Sequence, residues 1–121
     1  MELQQMRYAL AIAEEQGFTR AAERCFVAQS ALSRQIKSLE SELGVTLFAR
    51  TSRKVEVTPA GEAFLEQARL CLQAAERAKV EAAAARGEVR GTLTIGVIPT
   101  VTAVDVAAVL GQFHRRHPDV R

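Results

Sequence analysis

The stretch VAQSALSRQIKSLESELG, Val27 to Gly44, decides how this 121-residue chain is read. At about 100° per residue, Leu32, Ile36, Leu39 and Leu43 fall within one arc of about 60°. Gln29, Ser30, Ser33, Arg34 and Lys37 fall in a separate arc of about 140°. The first arc predicts a core stripe. The second gathers amide, hydroxyl, guanidinium and ammonium groups toward the N-terminal half of the helix. Such groups match base edges: glutamine can bond adenine on two atoms, arginine can do so with guanine, and hydroxyls serve bases or phosphates. A helix N-terminus also favours phosphate. An ordinary solvated helix face carries the same pattern, so this stretch alone leaves both readings open.

Working outward, Leu3, Met6, Leu10 and Ala13 recur at helical spacing and predict a helix over 2–16, ended by Gly17. Thr19 is a candidate cap for a short second helix, TRAAERC, followed by the turn FVA. The opening stretch is then the third helix, stopped by Gly44. Over 45–58 the strand formers Val45, Leu47, Phe48, Val55 and Val57 flank the polar turn TSRK, which predicts a two-stranded hairpin with a basic tip. Thr58 and Pro59 are a cap followed by proline at the first helical position. A long helix should run from Pro59 to about Arg86, with Gly87 closing it. From Gly91, GTLTIGVIPT predicts a strand, and AVDVAAVLGQFHRRHPDV a helix that Pro118 stops. This is the first half of a strand–helix–strand unit.

The net charge is only +2, but it is unevenly placed. Residues 1–19 carry Arg7 against Glu2, Glu14 and Glu15. Residues 20–54 carry seven basic against three acidic side chains. A polyanion would bind that segment, although a solvated charged surface accounts for so modest an excess as well.

These residues carry a family resemblance. FTRAAERCFVAQSALSRQIKSLESELGVTLFART, followed by VEVTPAGEAFLEQA, closely resembles the DNA-binding domain of LysR-type transcriptional regulators. GTLTIGV resembles the first strand of that family's effector-binding domain, so the resemblance covers the chain in order. It implies a mainly α fold: a winged helix-turn-helix over 1–58, a linker and dimerisation helix over 59–87, and the start of an incomplete α/β effector domain over 88–121. It implies a dimer or higher homo-oligomer on double-stranded promoter DNA, with a small-molecule effector acting only in the full-length protein. Gln29, Ser33 and Arg34 match the start of the recognition helix, and Arg53 the wing tip beside Lys54. Ser30 and Lys37 share that helix's outer face. Ala28 stands where a serine often caps the helix, and Ser30 where a proline often stands.

On the long helix, Phe64, Ala68, Cys71, Ala75, Ala78, Ala82 and Ala85 are spaced alternately by four and three, with Leu65 and Leu72 flanking them. This predicts a small-residue heptad seam for a dimer. An alanine-rich segment also yields alanines at any spacing. Thr100 and Thr102 occupy the neighbourhood where the family binds effectors, although helix capping suits either. Residues 91–121 provide at most one covering helix for their strand, so they are expected to belong to a larger domain.

No phosphate-binding glycine loop, nucleophile elbow or metal-ligand spacing occurs, so neither an enzyme nor a cofactor protein is expected. Cys25 and Cys71 read as reduced, buried thiols, and His114 and His117 as surface residues. The N-terminus shows no signal peptide and no run of about 20 apolar residues occurs, which predicts a cytoplasmic protein without a membrane partner. The competing expectation is a winged-helix protein-interaction module with no DNA partner.

Overall fold

The computed structural model describes residues 1–51, 54–100 and 102–121. They form two units, Met1–Gln73 and Ala74–Arg121. The first contains α1 (Leu3–Glu15), α2 (Phe18–Arg24), α3 (Gln29–Leu43), β1 (Phe48–Arg50), β2 (Val55–Val57) and the start of α4 (Pro59–Ala84).

α1 buries Met6 and Leu10 of its predicted stripe together with Ala9 and Ile12, while Ala13 is half-buried and Leu3 is exposed. Its start is tied by the Glu2 N–H, which donates to Gln5 Oε1 at 2.9 Å. Its end differs from the expectation. Gln16, not Gly17, takes the left-handed conformation with φ 56°, while Gly17 at φ −176° is ordinary extended backbone and precedes α2. Thr19 therefore lies inside α2 and is not its cap. The turn into α3 holds a second left-handed residue, Phe26, at φ 57°. Its ring is 94% exposed, so burial does not offset the steric cost of that conformation.

α3 keeps its predicted rotation. Leu32, Ile36 and Leu39 are fully buried, and Leu43 packs half-buried against the same core. Gly44, at φ 70°, ends the helix, with the Val45 N–H reaching back to the Glu40 carbonyl at 3.3 Å. Phe18, Ala21 and Ala22 from α2 and Leu65 and Ala68 from α4 join this core.

β1 and β2 pair antiparallel, with Phe48 opposite Val57 and Arg50 opposite Val55. Two strands this short are not stable alone. Phe48 anchors them: it is buried and meets the Phe18 ring edge-on at 6.1 Å. Thr58 then closes the hairpin onto the helix that follows. Its N–H donates to the Leu47 carbonyl at 2.9 Å, and its hydroxyl accepts from the Gly61 N–H at 2.9 Å. That is the expected cap, with Pro59 as the first helical residue. Gly61 is required by space. A Cβ there would collide with the Leu47 carbonyl oxygen and lie 2.8 Å from Val57 Cγ1.

In the second unit, α4 ends at Ala84. Gly87 takes φ 80°, and the Glu88 N–H bonds the Ala83 carbonyl at 3.1 Å, the reach-back bond of a Schellman stop. α5 (Val106–Arg116) is capped by Asp105, whose carboxylate accepts from the Ala108 N–H at 3.0 Å. The strand expected at Thr92–Ile98 does not form. Pairing is confined to a parallel bridge between Gly91 and Val120, flanked by a 2.7 Å bond from the Leu93 N–H to the Arg121 carbonyl. A parallel strand needs neighbours along its length. Leu93, Ile95, Val97 and Ile98 are instead about half exposed. The mainly α class with a winged helix-turn-helix stands; the strand–helix unit is represented by α5 and that bridge. No described helix is long and apolar enough to cross a membrane.

Gly61→Ala should destabilise the first unit by about 1–3 kcal/mol, the usual cost of overpacking. Urea unfolding of the two proteins measures the difference.

Candidate nucleic-acid interface

Because Leu32, Ile36 and Leu39 face inward, the opposite face of α3 is left to solvent. Gln29, Ser30, Arg34 and Lys37 are exposed and Ser33 is half-buried. Ala28 precedes the helix with no side chain to cap it. The N–H groups of the first turn have no intrahelical partner and no cap, which leaves them open to an anion.

The wing stands beside the start of this helix. Thr51 closes the hairpin by donating its N–H to the Lys54 carbonyl at 3.0 Å, and Lys54 is exposed. Arg53 lies outside the described residues. Phe18, Thr19, Gln29, Arg50 and Lys54 line one cleft of about 310 Å³. Within it the Arg50 guanidinium sits 4.1 Å above the Phe18 ring, which holds a long cation in one place. Thr19 Oγ1 donates to Gln29 Oε1 at 3.1 Å.

The charges separate into structural and free ones. Arg24 bonds Glu14 and Glu15, and the hydrogen bond and charge of Glu14 hold its guanidinium above the usual pKa. Arg24 thus ties α2 to α1 and adds little to the basic segment. Glu40 is also committed, accepting from the Leu47 N–H at 2.7 Å. Among the described residues, Arg20, Arg34, Lys37, Arg50 and Lys54 are exposed and take part in no ion pair.

Known proteins match this arrangement. Residues 3–62 fit the family model described as bacterial regulatory helix-turn-helix protein, lysR family. The crystal structure of a CbnR_DBD–DNA complex is 43% identical, with a TM-score of 0.69 over 71% of this chain and 99% of that one. The chain belongs to the LysR family. The Hca operon transcriptional activator HcaR of Escherichia coli (strain K12) is 44% identical over 119 residues, 98% of this chain and 40% of that protein. AlsR of Bacillus subtilis (strain 168), an HTH-type transcriptional regulator, is 41% identical over 122 residues, again 40% of its length. An H2O2-bound mutant of Corynebacterium glutamicum OxyR matches 99% of this chain and 37% of its own at 39% identity, with a TM-score of 0.75. The chain thus spans about two fifths of the length of the curated LysR relatives it matches.

The remaining candidates are placed less evenly. Of the expected dimer seam on α4, Leu65 and Ala68 are buried in the first unit's own core, and Phe64 and Leu72 pack against it. Ala75 is half-buried in the second unit, and Cys71 is exposed. The outward stripe runs instead through Ala63, Gln67, Leu70 and Cys71, with Leu70 53% exposed. Ala74 and Ala78 continue the same spacing along the helix. An alanine-rich pattern fixes the period and leaves the rotation open; Leu65 settles it by entering the core. Both cysteines are free, but only Cys25 is even partly covered, so the expectation of two buried thiols is corrected. Thr100 and Thr102 are exposed, and neither caps α5 because Asp105 does. Three features have no signal in the sequence: the Thr19–Gln29 bond, the Arg50–Phe18 stack and left-handed Phe26. The first two are long-range meetings of side chains that no local periodicity encodes.

Ala28→Ser should supply the missing cap and raise stability by about 1 kcal/mol. Urea unfolding reads the gain, and a loss would show that the first turn of α3 has no free N–H to satisfy.

Proposed function

We propose that this chain is the DNA-reading end of a LysR-type transcriptional regulator that binds a pseudo-palindromic promoter site as a dimer. The observation that carries this reading is the outward ridge of Gln29, Ser30, Arg34 and Lys37, free of internal ion pairs, beside a cleft containing Arg50 and Lys54. α3 enters the major groove. Gln29, Ser33 and Arg34 address base edges, and Ser30 and Lys37 address bases or phosphates according to their depth in the groove. Lys54, with Arg53 next to it in sequence, holds the backbone or minor groove. The solved CbnR_DBD–DNA complex supports the same use of this domain. By role the chain divides into a reading domain over 1–58, a linker helix over 59–87 and the beginning of an effector domain over 88–121. It is a cytoplasmic regulator and not an enzyme, and it needs no cofactor.

One recognition helix reads only a few base pairs. A two-fold dimer reads two half-sites one helical turn apart, or a multiple of it. The outward face of α4 through Leu70 and Cys71 is the seam, since Leu65 and Ala68 already serve the core. Small residues there let two helices approach closely. In the whole protein Thr100 and Thr102, relieved of capping, are available to a small effector.

DNA selected from a random pool tests contact, palindromy and spacing together. Affinity for the selected site should fall steeply with salt. A protein-interaction module without a DNA partner would select nothing. Gln29→Ala should cost roughly 1–3 kcal/mol at one base position, whereas Lys54→Ala should weaken all sequences alike and flatten the salt slope by about one. Leu70→Asp should leave the first unit folded, convert dimer to monomer in sedimentation and speed thiol labelling of Cys71. A mutant that stays dimeric puts the seam elsewhere.

A further inference from the structure

The Arg50 guanidinium sits 4.1 Å from the centre of the Phe18 ring, over its face. Both sides of this contact are fixed by others. Phe18 is only 7% exposed and packs edge-to-face with Phe48 at 6.1 Å, so the core holds its ring. Arg50 pairs with Val55 across the hairpin and stands two residues beyond Phe48, on the same face of the strand. A guanidinium lying over an aromatic face leaves its N–H groups, which are arrayed around its edge, free to donate. Among the described residues no carboxylate pairs with Arg50. The side chain is exposed and lines one cleft with Lys54 and with Gln29, the first residue of α3.

We infer that Phe18 is a positioning residue that holds Arg50 ready to grip a DNA phosphate beside the start of α3. The free edge of the guanidinium suits that partner, because two parallel N–H groups match two phosphate oxygens. The ring keeps the head of Arg50 beside α2, to the side of the α3 ridge and not on it, so a base edge is the less suited target. The inference rests on the groove-reading role of α3 proposed above. The ring acts by preorganisation. A free arginine gives up rotamer freedom when it grips a phosphate, and one already laid on a ring gives up less. The ring also leaves the charge whole, which a carboxylate partner would offset. Lys54, in the same cleft, offers a point charge without a planar fork.

The test uses the 121-residue chain and the duplex it selects from a random pool. Arg50→Ala should weaken every duplex and flatten the salt slope by about one, with base preference unchanged. Phe18→Leu keeps an apolar side chain in the core and removes the ring. It should weaken every duplex about threefold and leave the salt slope as it was, because the charge of Arg50 is still present. It should add nothing where Arg50 is already alanine. In the DNA-free protein the ring current of Phe18 should move the Arg50 Nε–H and Cδ–H2 NMR signals upfield, and Phe18→Leu should return them. Should Phe18→Leu fail to fold, Arg50→Lys decides together with that upfield shift in the unaltered chain. The lysine keeps the charge and the core but has no fork, so the slope should hold while affinity drops about threefold. An unchanged salt slope in Arg50→Ala, a Phe18→Leu loss of equal size with Arg50 already alanine, ordinary Arg50 signals in the unaltered chain, or Arg50→Lys binding as tightly as arginine would overturn the inference. If the unaltered chain selects no sequence, the groove reading falls and this inference with it. A selected site that Arg50→Ala binds unchanged overturns this inference alone.

Discussion

The burial of Leu32, Ile36 and Leu39 fixes the rotation of α3 about its own axis, and the rest of the first unit depends on that angle. Each side chain is fully enclosed, so turning the helix would expose apolar surface at about 25 cal/mol per Å². No other force named in this domain acts on all three at once. The polar ridge therefore needs no pairing of its own to stay outward: Ser30, Arg34 and Lys37 face solvent because their neighbours cannot. In the proposed DNA-reading role this arrangement is an advantage, since any internal ion pair on the ridge would have to break before a polyanion could bind. Several acidic groups of this unit are engaged elsewhere, Glu14 and Glu15 with Arg24, Glu40 with the Leu47 N–H and Glu42 with the N-terminal amine.

The wing is held by a different means. Its strands are too short to stand alone, and three contacts fasten them: Phe48 in the core, Phe18 edge-on against it, and Thr58 bonded to Leu47 and Gly61. This is the physical content of the TPAG run. Threonine caps, proline starts the helix, and glycine lets the Leu47 carbonyl approach where any Cβ would collide. Phe18 has a second use, since its face carries the Arg50 guanidinium while the same ring packs edge-to-face with Phe48. One ring thus joins the core of the helix-turn-helix to a cation on the wing.

What could be read from the sequence follows from these forces. Helices α1, α3 and α4, the hairpin and the Thr58–Pro59 start are legible because each is specified locally, by period or by cap chemistry. Gly44 and Gly87 are legible as stops for the same reason. Where the signal failed, the cause is non-local. Gly17 reads as a stop, yet Gln16 takes the left-handed turn. The strand expected at Thr92–Ile98 has the right residues but lacks partners beyond the short bridge, and hydrogen bonds to a neighbour are what make a strand. The ridge of α3 was legible as a face. The Thr19–Gln29 bond is not legible, because a threonine at that spacing reads as a cap.

The expected seam on α4 exposes a general ambiguity in alanine-rich helices. Phe64, Ala68, Cys71 and Ala75 satisfy a heptad, but so do Ala63, Gln67, Leu70 and Ala74, set one residue earlier and so turned by about 100°. Sequence spacing cannot choose between the two lines. Burial favours the second line, because Leu65 and Ala68 belong to the first unit's own core. An outward line of alanines, Gln67 and Leu70 then remains on a helix whose inner line joins the core of the first unit. In the proposed dimer the same helix that anchors each recognition domain also pairs with its mate. The separation of the two reading helices is therefore set by rigid helix geometry, at about 1.5 Å per residue, and not by a flexible tether. Half-site spacing on the DNA becomes a consequence of where along α4 the two chains cross.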